Sequence, residues 1–459
     1  PPPPPPPFFQ AEDGIRDSVN GLVGSEMCIR DRSSRPVATG EGSVRAINAI
    51  STAPNFGFLI EERFIDTLPY KVSTSATSWD DLDYTFNFEV LLTDATTQTR
   101  VASQFIDVEN DRDYTMVLTG AVESPDITVW ESDIREWEDG ETGYEVRFAN
   151  VSPALGPVDV YFEAPGTAPV IGNRLGTVGF TEILPAVEFE GGERSLILTA
   201  VDDPGTVLYE SVSLTLLERN SYIVSPFDAD ANDLGSVSVR LINAQLGGGG
   251  SIADISTQST ARFFHASRDM GNVDIYTDDP LTVPQVSNHA FGEYTDDLPI
   301  MSGNIPVTYT AAGNIGSILI DEDRPFAVGA HHSLFAIRDA DGIDVLSNFV
   351  LDRRSIETQT RLTLINTSID NPSVDVYILR EGETVEETFP LIPILTTFAP
   401  PFAAPIRPNQ YDLYLTAPFE KTILFGPIPL DAQAGDVVEG VVYDTADPNV
   451  PSLEFIPLP

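Results

Sequence analysis

The sequence predicts an all-β protein made of four tandem immunoglobulin-like antiparallel β-sandwich domains. One phrase of 16 residues recurs four times, and each copy is followed by short stretches of alternating apolar and polar residues separated by turn-forming residues. Alternation with a period of two places one face of a strand on a core, and several such strands at short spacing are typical of a sandwich. No amphipathic helix of 12 residues stands out in the sequence.

The recurring phrase marks the opening of each domain. Its four copies read VRAINAISTAPNFGFL, VRFANVSPALGPVDVY, ARFFHASRDMGNVDIY and LTLINTSIDNPSVDVY. A polar residue ends the first apolar run of every copy, and these residues are Asn48, Asn150, His265 and Asn366. Nine residues later come Gly57, Asp159, Asp274 and Asp375. Successive polar positions lie 102, 115 and 101 residues apart, which indicates duplicated domains of roughly 100 residues.

The second copy illustrates why these phrases form strands. Val146 and Phe148 alternate with Arg147 and Ala149, so they point to one side of an extended chain. The stretch SPALGP then supplies turn-forming residues, and VDVYF repeats the alternation. Further on, the glycine pair at 191–192 predicts a tight hairpin between two more strands.

The predicted domains are separated by polar connections. They comprise residues 41–130, 143–245, 259–350 and 359–459. The connection at 246–260 contains four successive glycines and is expected to be the most flexible joint, so that the units follow one another as beads or a rod. The role of residues 239–250 stays open, because VRLINA imitates an opening strand and could equally be the last strand of the second domain.

Residues 1–40 are expected to be disordered and foreign to the fold. Seven prolines are followed by FFQAEDGIRDSVNGLVGSEMCIRDR, which resembles translated sequencing-adapter DNA. On this interpretation the native N-terminus lies upstream, together with any export signal or lipid-anchoring cysteine. The single cysteine, Cys28, falls inside the foreign stretch, so the predicted domains contain no disulfide.

The charge of the chain narrows the class of partner. There are 70 Asp and Glu against 25 Lys and Arg, and the net charge of −45 repels nucleic acids and anionic membranes. The negative charge is spread along the chain, which is typical of a solvated acidic surface, and divalent-cation binding is the alternative. No apolar run approaches the 18 or so residues of a membrane helix. The expected partner is a surface protein or a glycan of unknown identity.

The recurrent polar residues have a structural and a functional interpretation. Asn at the end of the opening strand can hydrogen-bond the backbone of the next turn, and His265 is expected to do the same in its copy. The recurrent Asp is expected on the outer face, where a charge discourages edge pairing. The alternative is a ligand or cation site that these Asp residues form with the turn serines Ser152, Ser267 and Ser368.

One segment resembles the first half of a calcium loop. In DADANDLG, alternate positions would bring Asp228, Asp230 and Asn232 together as oxygen ligands. Asp233 stands where such a loop has its turn glycine, and Val239 stands where it has its bidentate glutamate. These three residues are the metal candidates, Ca²⁺ is the only cofactor considered, and an ordinary Asp-rich turn is the simpler interpretation.

The sequence contains none of the motifs that would indicate catalysis. There is no H-E-x-x-H, G-x-S-x-G or phosphate-binding G-x-x-x-x-G-K-S/T. The adjacent His331 and His332 would point to opposite faces of a strand and so could not easily share one metal ion. Lys71 and Lys421 are the only lysines, which weighs against Lys-based catalysis. The sequence therefore predicts a protein that is not an enzyme.

The recurring phrase resembles the domain-of-unknown-function 4397 family. The residues that carry the resemblance are VRAINA, VRFANVSP with VDVY, ARFFHASRD with VDIY, and LINTSID with VDVY, and the four copies span most of residues 41–450. Gly57 and Ala154 replace acidic residues of the family pattern. The family comprises tandem β-domains of exported bacterial proteins, often envelope lipoproteins, and has no established chemistry. The resemblance implies a periplasmic, outer-membrane-anchored or extracellular location.

The predicted function is that of a non-enzymatic cell-envelope or surface protein, acting as a structural or adhesive repeat scaffold. The alternative is a surface module that binds a glycan or calcium.

Overall fold

The computed structural model describes residues 37–457 except 94, 96, 340 and 446. In these residues 34 strands form eight sheets, and the sheets pack in pairs as four sandwiches, so the predicted all-β class is confirmed. Regular structure other than strands is limited there to two 3₁₀ turns, Ile171–Asn173 and Arg268–Met270. Most of the segment predicted to be disordered, residues 1–36, lies outside the described residues. No helix in the described range is long and apolar enough to span a bilayer.

The first two sandwiches contain 18 strands. Sandwich 1 consists of β1 (Glu41–Asn48), β2 (Phe56–Ile60), β3 (Arg63–Leu68), β4 (Thr77–Asp80), β5 (Asp83–Val90), β6 (Thr99–Asp107), β7 (Arg112–Ala121) and β8 (Ser124–Asp133). Sandwich 2 consists of β9 (Tyr144–Phe148), β10 (Val158–Glu163), β11 (Gly176–Val178), β12 (Val187–Phe189), β13 (Glu193–Ala200), β14 (Asp203–Glu210), β15 (Leu214–Thr215), β16 (Ser221–Asp228), β17 (Val237–Asn243) and β18 (Gly247–Ile252).

The last two sandwiches contain eight strands each. Sandwich 3 consists of β19 (Ser259–His265), β20 (Val273–Tyr276), β21 (Val286–His289), β22 (Leu298–Ile300), β23 (Gly303–Ala311), β24 (Asn314–Phe326), β25 (His331–Arg338) and β26 (Asp344–Val350). Sandwich 4 consists of β27 (Thr360–Asn366), β28 (Ser373–Leu379), β29 (Ile392–Thr396), β30 (Phe402–Ile406), β31 (Asn409–Thr416), β32 (Ile423–Ala432), β33 (Val437–Tyr443) and β34 (Ser452–Pro457).

All four sandwiches share one topology. The sheets that contain the opening strands have the orders β4-β1-β7-β8, β12-β9-β16-β17-β18, β22-β19-β25-β26 and β30-β27-β33-β34. The facing sheets have the orders β3-β2-β5-β6, β11-β10-β13-β14, β21-β20-β23-β24 and β29-β28-β31-β32, and β15 also pairs with β13. The glycine pair at 191–192 therefore joins strands of different sheets, and the hairpin predicted there is wrong.

One pair of strands in each sandwich is parallel rather than antiparallel. The opening strand runs beside the strand that follows the facing sheet, and β1 pairs with β7 from Ser43–Asp113 to Asn48–Leu118. A hairpin then reverses the chain, so that Asp133 at the end of β8 lies opposite Arg112 at the start of β7. The chain consequently enters and leaves sandwich 1 at the same end. In sandwich 2 the additional strand β18 carries the chain back to the opposite end.

Each sandwich has its own apolar core between its two sheets. In sandwich 1 the centre is aromatic, because Phe58 lies against Phe86 and Phe88 with ring centroids 5.8 and 5.3 Å apart. Three further clusters fill the other sandwiches. Separate cores explain how each unit buries enough surface to fold without a disulfide.

The sandwiches are nevertheless not independent beads, because they pack in two pairs. Residues 39–459 form one compact unit. Seam 1–2 buries a second apolar cluster between sandwiches 1 and 2, formed by Ile47, Ala49, Tyr70, Val117, Trp130, Ala149, Val151, Ile223, Phe227 and Ile242. Seam 3–4 does the same between sandwiches 3 and 4, with Phe264, Ala266, Phe335, Ile337, Leu351, Ile365 and Val441.

The two seams are built alike. In seam 1–2 the Tyr70 ring meets Phe227 edge-on, with centroids 6.0 Å apart. In seam 3–4 Phe291 meets Tyr443 at 5.8 Å in the same arrangement. The outer faces of the sheets that contain the opening strands are therefore buried on their partners, which the sequence alternation alone did not predict.

The glycine run predicted to be a flexible joint is an edge strand instead. Gly247–Ile252 forms β18, and Gly248 exchanges two backbone hydrogen bonds with Ser73 of sandwich 1 at 2.8 and 2.9 Å. A Cβ on Gly247 would lie 2.3 Å from the Thr74 carbonyl oxygen, and one on Gly249 would lie 2.6 Å from that of Lys71. Glycine is needed here because two backbones approach without room for a side chain.

We expect Gly247→Ala to destabilise seam 1–2 by about 1–3 kcal/mol, because the new methyl group must displace the backbone at Thr74. Gly248→Ala is the matched control. Gly248 also has a positive φ, of 79° against 70° for Gly247, but a Cβ there would meet nothing within 4 Å. Urea unfolding of both variants measures the difference. Equal losses would show that backbone strain, and not the contact with sandwich 1, is responsible.

Candidate functional site

The recurrent Asn and His residues hold the turn that follows each opening strand. Asn150 accepts a hydrogen bond from the Ser152 amide at 2.9 Å and donates one to the Gly156 carbonyl at 2.7 Å. In sandwich 3, His265 takes both roles: Nδ1 accepts from the Ser267 amide at 3.4 Å, and Nε2 lies 2.7 Å from the Gly271 carbonyl.

The other two copies follow the same arrangement. The Asn48 side chain accepts from the Ile50 amide at 3.0 Å, and the Asn366 side chain accepts from the Ser368 amide at 2.9 Å. All four polar side chains are buried. Each of these side chains therefore acts as a turn clasp. The polar side-chain atoms that a ligand would bind are already hydrogen-bonded to the backbone.

The turn serines contact a different set of carboxylates from the one predicted. Ser152 donates to Asp228 at 2.5 Å, and Ser267 donates to Asp344 at the same distance. Ser368 donates to Asp444. The structure therefore brings Ser152 to the metal candidate Asp228 and not to Asp159. In sandwich 3 the position of Asp228 is taken by Arg338, and this arginine binds Asp344 instead.

The recurrent Asp residues lie on interior strands, so the expectation that they protect a sheet edge is wrong. Asp159, Asp274 and Asp375 lie on β10, β20 and β28, each of which has a neighbour on both sides. All three are buried. Asp274 accepts hydrogen bonds from the amides of Asn288 and Gly313, both at 2.8 Å. The carboxylate thus ties the edge strand β21 and the turn after β23 to the interior strand β20.

Asp159 combines the same role with an ion pair. It accepts hydrogen bonds from Thr177 at 2.6 Å, the Asp202 amide at 2.8 Å and Arg174 at 2.9 Å. Burial alone would raise the pKa of this carboxyl, but these donors hold the pKa of Asp159 below its usual range. Gly57 has no such side chain, so sandwich 1 lacks this tie.

The three metal candidates turn to different protein partners. Asp228 accepts from Ser152 and the Ala154 amide, while Asp230 lies 3.1 Å from the ammonium of Lys71. Asn232 bonds the connection between sandwiches 3 and 4, accepting from the Arg353 amide at 2.6 Å. Among the described residues, no group of three or more His, Cys, Asp or Glu is arranged to hold a metal ion.

Lys71 supplies the positive charge at this loop. Its ammonium contacts both Asp230 and Asp233, and its side chain is only 3% exposed. Lys71 belongs to sandwich 1 and the two carboxylates to sandwich 2, so the ion pairs cross seam 1–2. The acidic loop is a structural contact, held by a cation from the chain itself.

A cavity of about 520 Å³ opens beside this loop, where the connection between sandwiches 3 and 4 crosses seam 1–2. Arg354 from that connection donates to the carbonyls of Ser51 and Ala53 at 3.0 and 2.6 Å. The lining contains four basic residues, Lys71, Arg240, Arg354 and Arg361, against the acidic Asp230 and Asp352. The cavity is therefore locally basic in a chain whose net charge is −45.

Seam 3–4 buries an ionic contact that sequence reasoning missed. Arg262 of sandwich 3 pairs with Glu439 of sandwich 4, and both side chains are buried. Tyr294 donates to the other oxygen of Glu439 at 2.6 Å, and Arg262 also donates to Ser333 at 3.1 Å. Burial lowers the pKa of the Arg262 guanidinium.

One half of this contact, the arginine, was visible in the repeated phrase. Arginine stands three residues before the clasp residue in three copies, as Arg45, Arg147 and Arg262. In seam 1–2, Arg45 turns to Asp113 of its own sandwich. The sequence shows the recurring arginine, but its partner differs between copies and comes from a different strand each time.

All four histidines of the chain belong to sandwich 3, and in the described residues none of them is part of a group of three or more His, Cys, Asp or Glu that could hold a metal ion. Burial lowers the pKa of each imidazole below its ordinary value of 6.5. The four residues are His265, His289, His331 and His332. The two adjacent histidines separate as expected, with His331 beside Thr260 at 2.7 Å and His332 beside Asn348 at 2.9 Å.

We expect sandwich 3 to lose stability in mild acid before the other sandwiches do. Above pH 6.5 its histidines are neutral in both states, so the stability is complete there. Below pH 6.5 the unfolded chain takes up protons that the folded sandwich resists, and unfolding becomes easier as the pH falls. Hydrogen exchange across sandwich 3 between pH 7.5 and 5 measures this. His265→Asn, the residue in the other copies, should weaken the pH dependence; an unchanged profile would contradict the assignment.

The comparisons with known proteins fit the repeat. The family described as "Domain of unknown function (DUF4397)" matches residues 42–161 and 259–377, which is more than half of the chain. The chain belongs to this family. Each DUF4397 match begins in the opening strand of an odd-numbered sandwich and ends in the second strand of the next. The two matches therefore cover the same part of the two sandwich pairs.

Other comparisons add little to the DUF4397 assignment. No curated protein matches the chain. Among solved structures, the Bacillus anthracis TIE protein is similar over 88% of this chain and 69% of that chain, at 9% identity and a TM-score of 0.14. A likeness at this TM-score carries no argument about fold or function.

Proposed function

We propose that this DUF4397 protein is a non-enzymatic, exported surface or envelope protein that acts as a rigid structural or adhesive scaffold. The observation that carries the proposal is the burial of ionic contacts across both seams, by Lys71 with its two carboxylates and by Arg262 with Glu439. A buried pair is costly to separate, because each charge would be left without its partner. Paired sandwiches of this kind resist bending.

Two further features support this proposal. The Asn or His residue holds a turn in all four copies and the Asp holds backbone segments in three, as a module repeated for its shape requires. The location outside the cytoplasm that the sequence resemblance implies agrees with this proposal, and the high negative charge is compatible with an exposed, solvated surface.

Protease accessibility tests the proposed location. The complete natural gene product would carry a C-terminal tag in its own host, and protease would be added to intact cells, to cells with a permeabilised outer envelope and to lysed cells. We expect cleavage of the tag in the first or second sample. Cleavage only after lysis of the inner membrane would overturn export.

Small-angle X-ray scattering of the purified chain tests rigidity. We expect one compact conformation for residues 39–459, with a narrow distribution of dimensions. A broad distribution, as for four beads on flexible linkers, would overturn the scaffold proposal even if export were correct.

Glycan binding is the second candidate, and the basic cavity beside Lys71 favours it. Besides four basic residues, its lining contains the amides of Asn55, Gln98, Asn232 and Gln359, which suit hydroxyl and acidic groups of a saccharide. A screen of acidic and neutral oligosaccharides, repeated with Arg361→Gln, tests this. Binding that persists unchanged in the variant would place the glycan elsewhere. If no oligosaccharide bound, the glycan proposal would be wrong and the scaffold proposal would remain.

A further inference from the structure

Sandwiches 3 and 4 use the recurrent Asp in the same way but with different donor residues. In sandwich 4, Asp375 accepts hydrogen bonds from the amides of Ile394 and Phe419, both at 2.8 Å. In sandwich 3, Asp274 accepts them from Asn288 and Gly313 at the same distance. All four donor residues have a positive φ, between 54° and 71°.

The residues of sandwich 4 are poorly suited to this backbone conformation. Glycine and asparagine adopt a positive φ readily, whereas a β-branched residue such as isoleucine does so only under strain. Ile394 in β29 and Phe419 in the turn after β31 therefore strain the backbone at positions that Asn and Gly would occupy without strain. Strain that persists in a folded protein is concentrated at functional sites.

These strained residues also expose their side chains. Ile394 is 41% and Phe419 84% exposed, so neither contributes fully to a core. Phe389 and Ile423 nearby are 93% and 49% exposed. We call these four residues the sandwich 4 apolar patch.

Backbone contacts hold the patch together. Thr416 pairs with Asp375 on one side and with Ile423 on the other. The Lys421 ammonium donates to the Val385 and Thr388 carbonyls, both at 2.6 Å, which keeps the segment before Phe389 beside the loop that carries Phe419. The segments that carry the four apolar residues are thus joined by these contacts into one region of sandwich 4.

The charge around the patch is unlike that of the rest of the protein. Residues 388–406 contain no charged side chain in 19 positions, although the chain has a net charge of −45. Glu386, Glu387 and Glu420 stand directly before or beside the patch residues in sequence, and all three are exposed. The region is therefore apolar at its centre, where the Lys421 ammonium is bound by two backbone carbonyls, and acidic at its rim.

We propose that the sandwich 4 apolar patch docks a polypeptide segment with an apolar centre and basic flanks. An apolar partner surface would cover Phe389, Ile394 and Phe419, and Lys or Arg beside it would meet the acidic rim. A second copy of this chain is disfavoured because two molecules of charge −45 repel each other, and anionic lipid is disfavoured for the same reason.

This inference deepens the proposed adhesive function. It rests on that function only for the location in which the protein meets its partner. Its tests use purified protein, so they can fail while export and rigidity hold, and they can succeed if export fails.

The first test asks whether the patch residues serve the fold or a partner. Ile394→Asn and Phe419→Gly install the residues that sandwich 3 has at the same positions. We expect each to raise the midpoint of thermal unfolding of sandwich 4 by about 2–4 °C, because strain is released and little packing is lost. A fall in the midpoint would show that the side chains are structural and would overturn the proposal.

The second test measures recognition directly. A random peptide display library would be selected on the full chain, with counter-selection on the Ile394→Asn/Phe419→Gly variant. We expect enriched peptides with two or more apolar residues flanked by Lys or Arg, and their synthetic forms should bind the double variant at least tenfold more weakly. Val283→Asn is the matched control, because Val283 is 74% exposed on sandwich 3 and lies outside the patch.

Three outcomes would overturn the proposal. They are equal peptide binding by the chain and the double variant, enrichment of acidic or uncharged peptides, and no enrichment at all. Self-association in analytical ultracentrifugation, or sedimentation with phosphatidylcholine vesicles, would assign the patch to a second copy or to lipid instead if the double variant abolished it.

Discussion

Replacing Glu439 by Leu is expected to lower the free energy of unfolding by about 3–5 kcal/mol, because it leaves the Arg262 charge buried without a partner. Tyr294 also loses the acceptor that lies 2.6 Å from its hydroxyl. Seam 3–4 should open first, so hydrogen exchange should rise in β27 and β33 before it rises in sandwich 1. Urea unfolding gives the size of the loss.

The double variant Arg262→Leu/Glu439→Leu is the control for this prediction. Removing both charges leaves an apolar seam, and we expect most of the lost stability to return. A double variant as unstable as Glu439→Leu alone would mean that packing, and not the unpaired charge, sets the cost.

Phe58→Ala is expected to cost about 3–5 kcal/mol in the stability of sandwich 1, because the Phe58 ring is 1% exposed and packs on Phe86 and Phe88. The cavity left between two rigid rings cannot close easily. Hydrogen exchange in β2 and β5, with urea unfolding of the whole chain, measures the effect. Seam 3–4 should be unaffected.

Phe105→Ala is the matched control in the same sandwich. Phe105 is 59% exposed, so its removal should change stability by less than about 0.5 kcal/mol. If both variants lost the same stability, the aromatic cluster around Phe58 would not be the centre of this core.

The repeat predicted much of the fold because strand alternation and turn-forming residues depend only on residues close together in sequence. Alternating apolar residues fix which face of each strand is buried, and Asn150 with its equivalents fixes the turn after the opening strand. A single sequence could therefore predict four separate cores and their approximate positions. The fold class follows from these local patterns, which do not depend on how the units pack together.

Relations between distant strands could not be predicted in this way. The glycines at 191–192 look like hairpin residues, since a change of sheet and a hairpin need similar backbone conformations. The glycine run at 247–250 looks like a linker, since nothing local shows that the backbone of Ser73 lies beside it. Asp159 looks like an outward-facing charge, since its donors Arg174 and Asp202 come from later loops.

The metal candidates show the same limit of local sequence patterns. Spacing alone suggested that Asp228, Asp230 and Asn232 converge, but each has a protein partner from elsewhere in the chain. The cation that Asp230 contacts is Lys71, which precedes it by more than 150 residues. Only the tertiary structure identifies this lysine as the counter-charge.

The position of the chain ends within a sandwich bears on how such proteins can change during evolution. The chain enters and leaves sandwich 1 at the same end. The polypeptide can therefore be cut before β1 and after β8, and the flanking segments rejoined, with little displacement of the rest of the molecule. Recombination could therefore exchange an eight-stranded module as a cassette, provided that the replacement offers the same face to the seam. The glycine-rich strand β18, the tenth of sandwich 2, redirects the chain to the opposite end, so losing that strand would displace every module downstream of it.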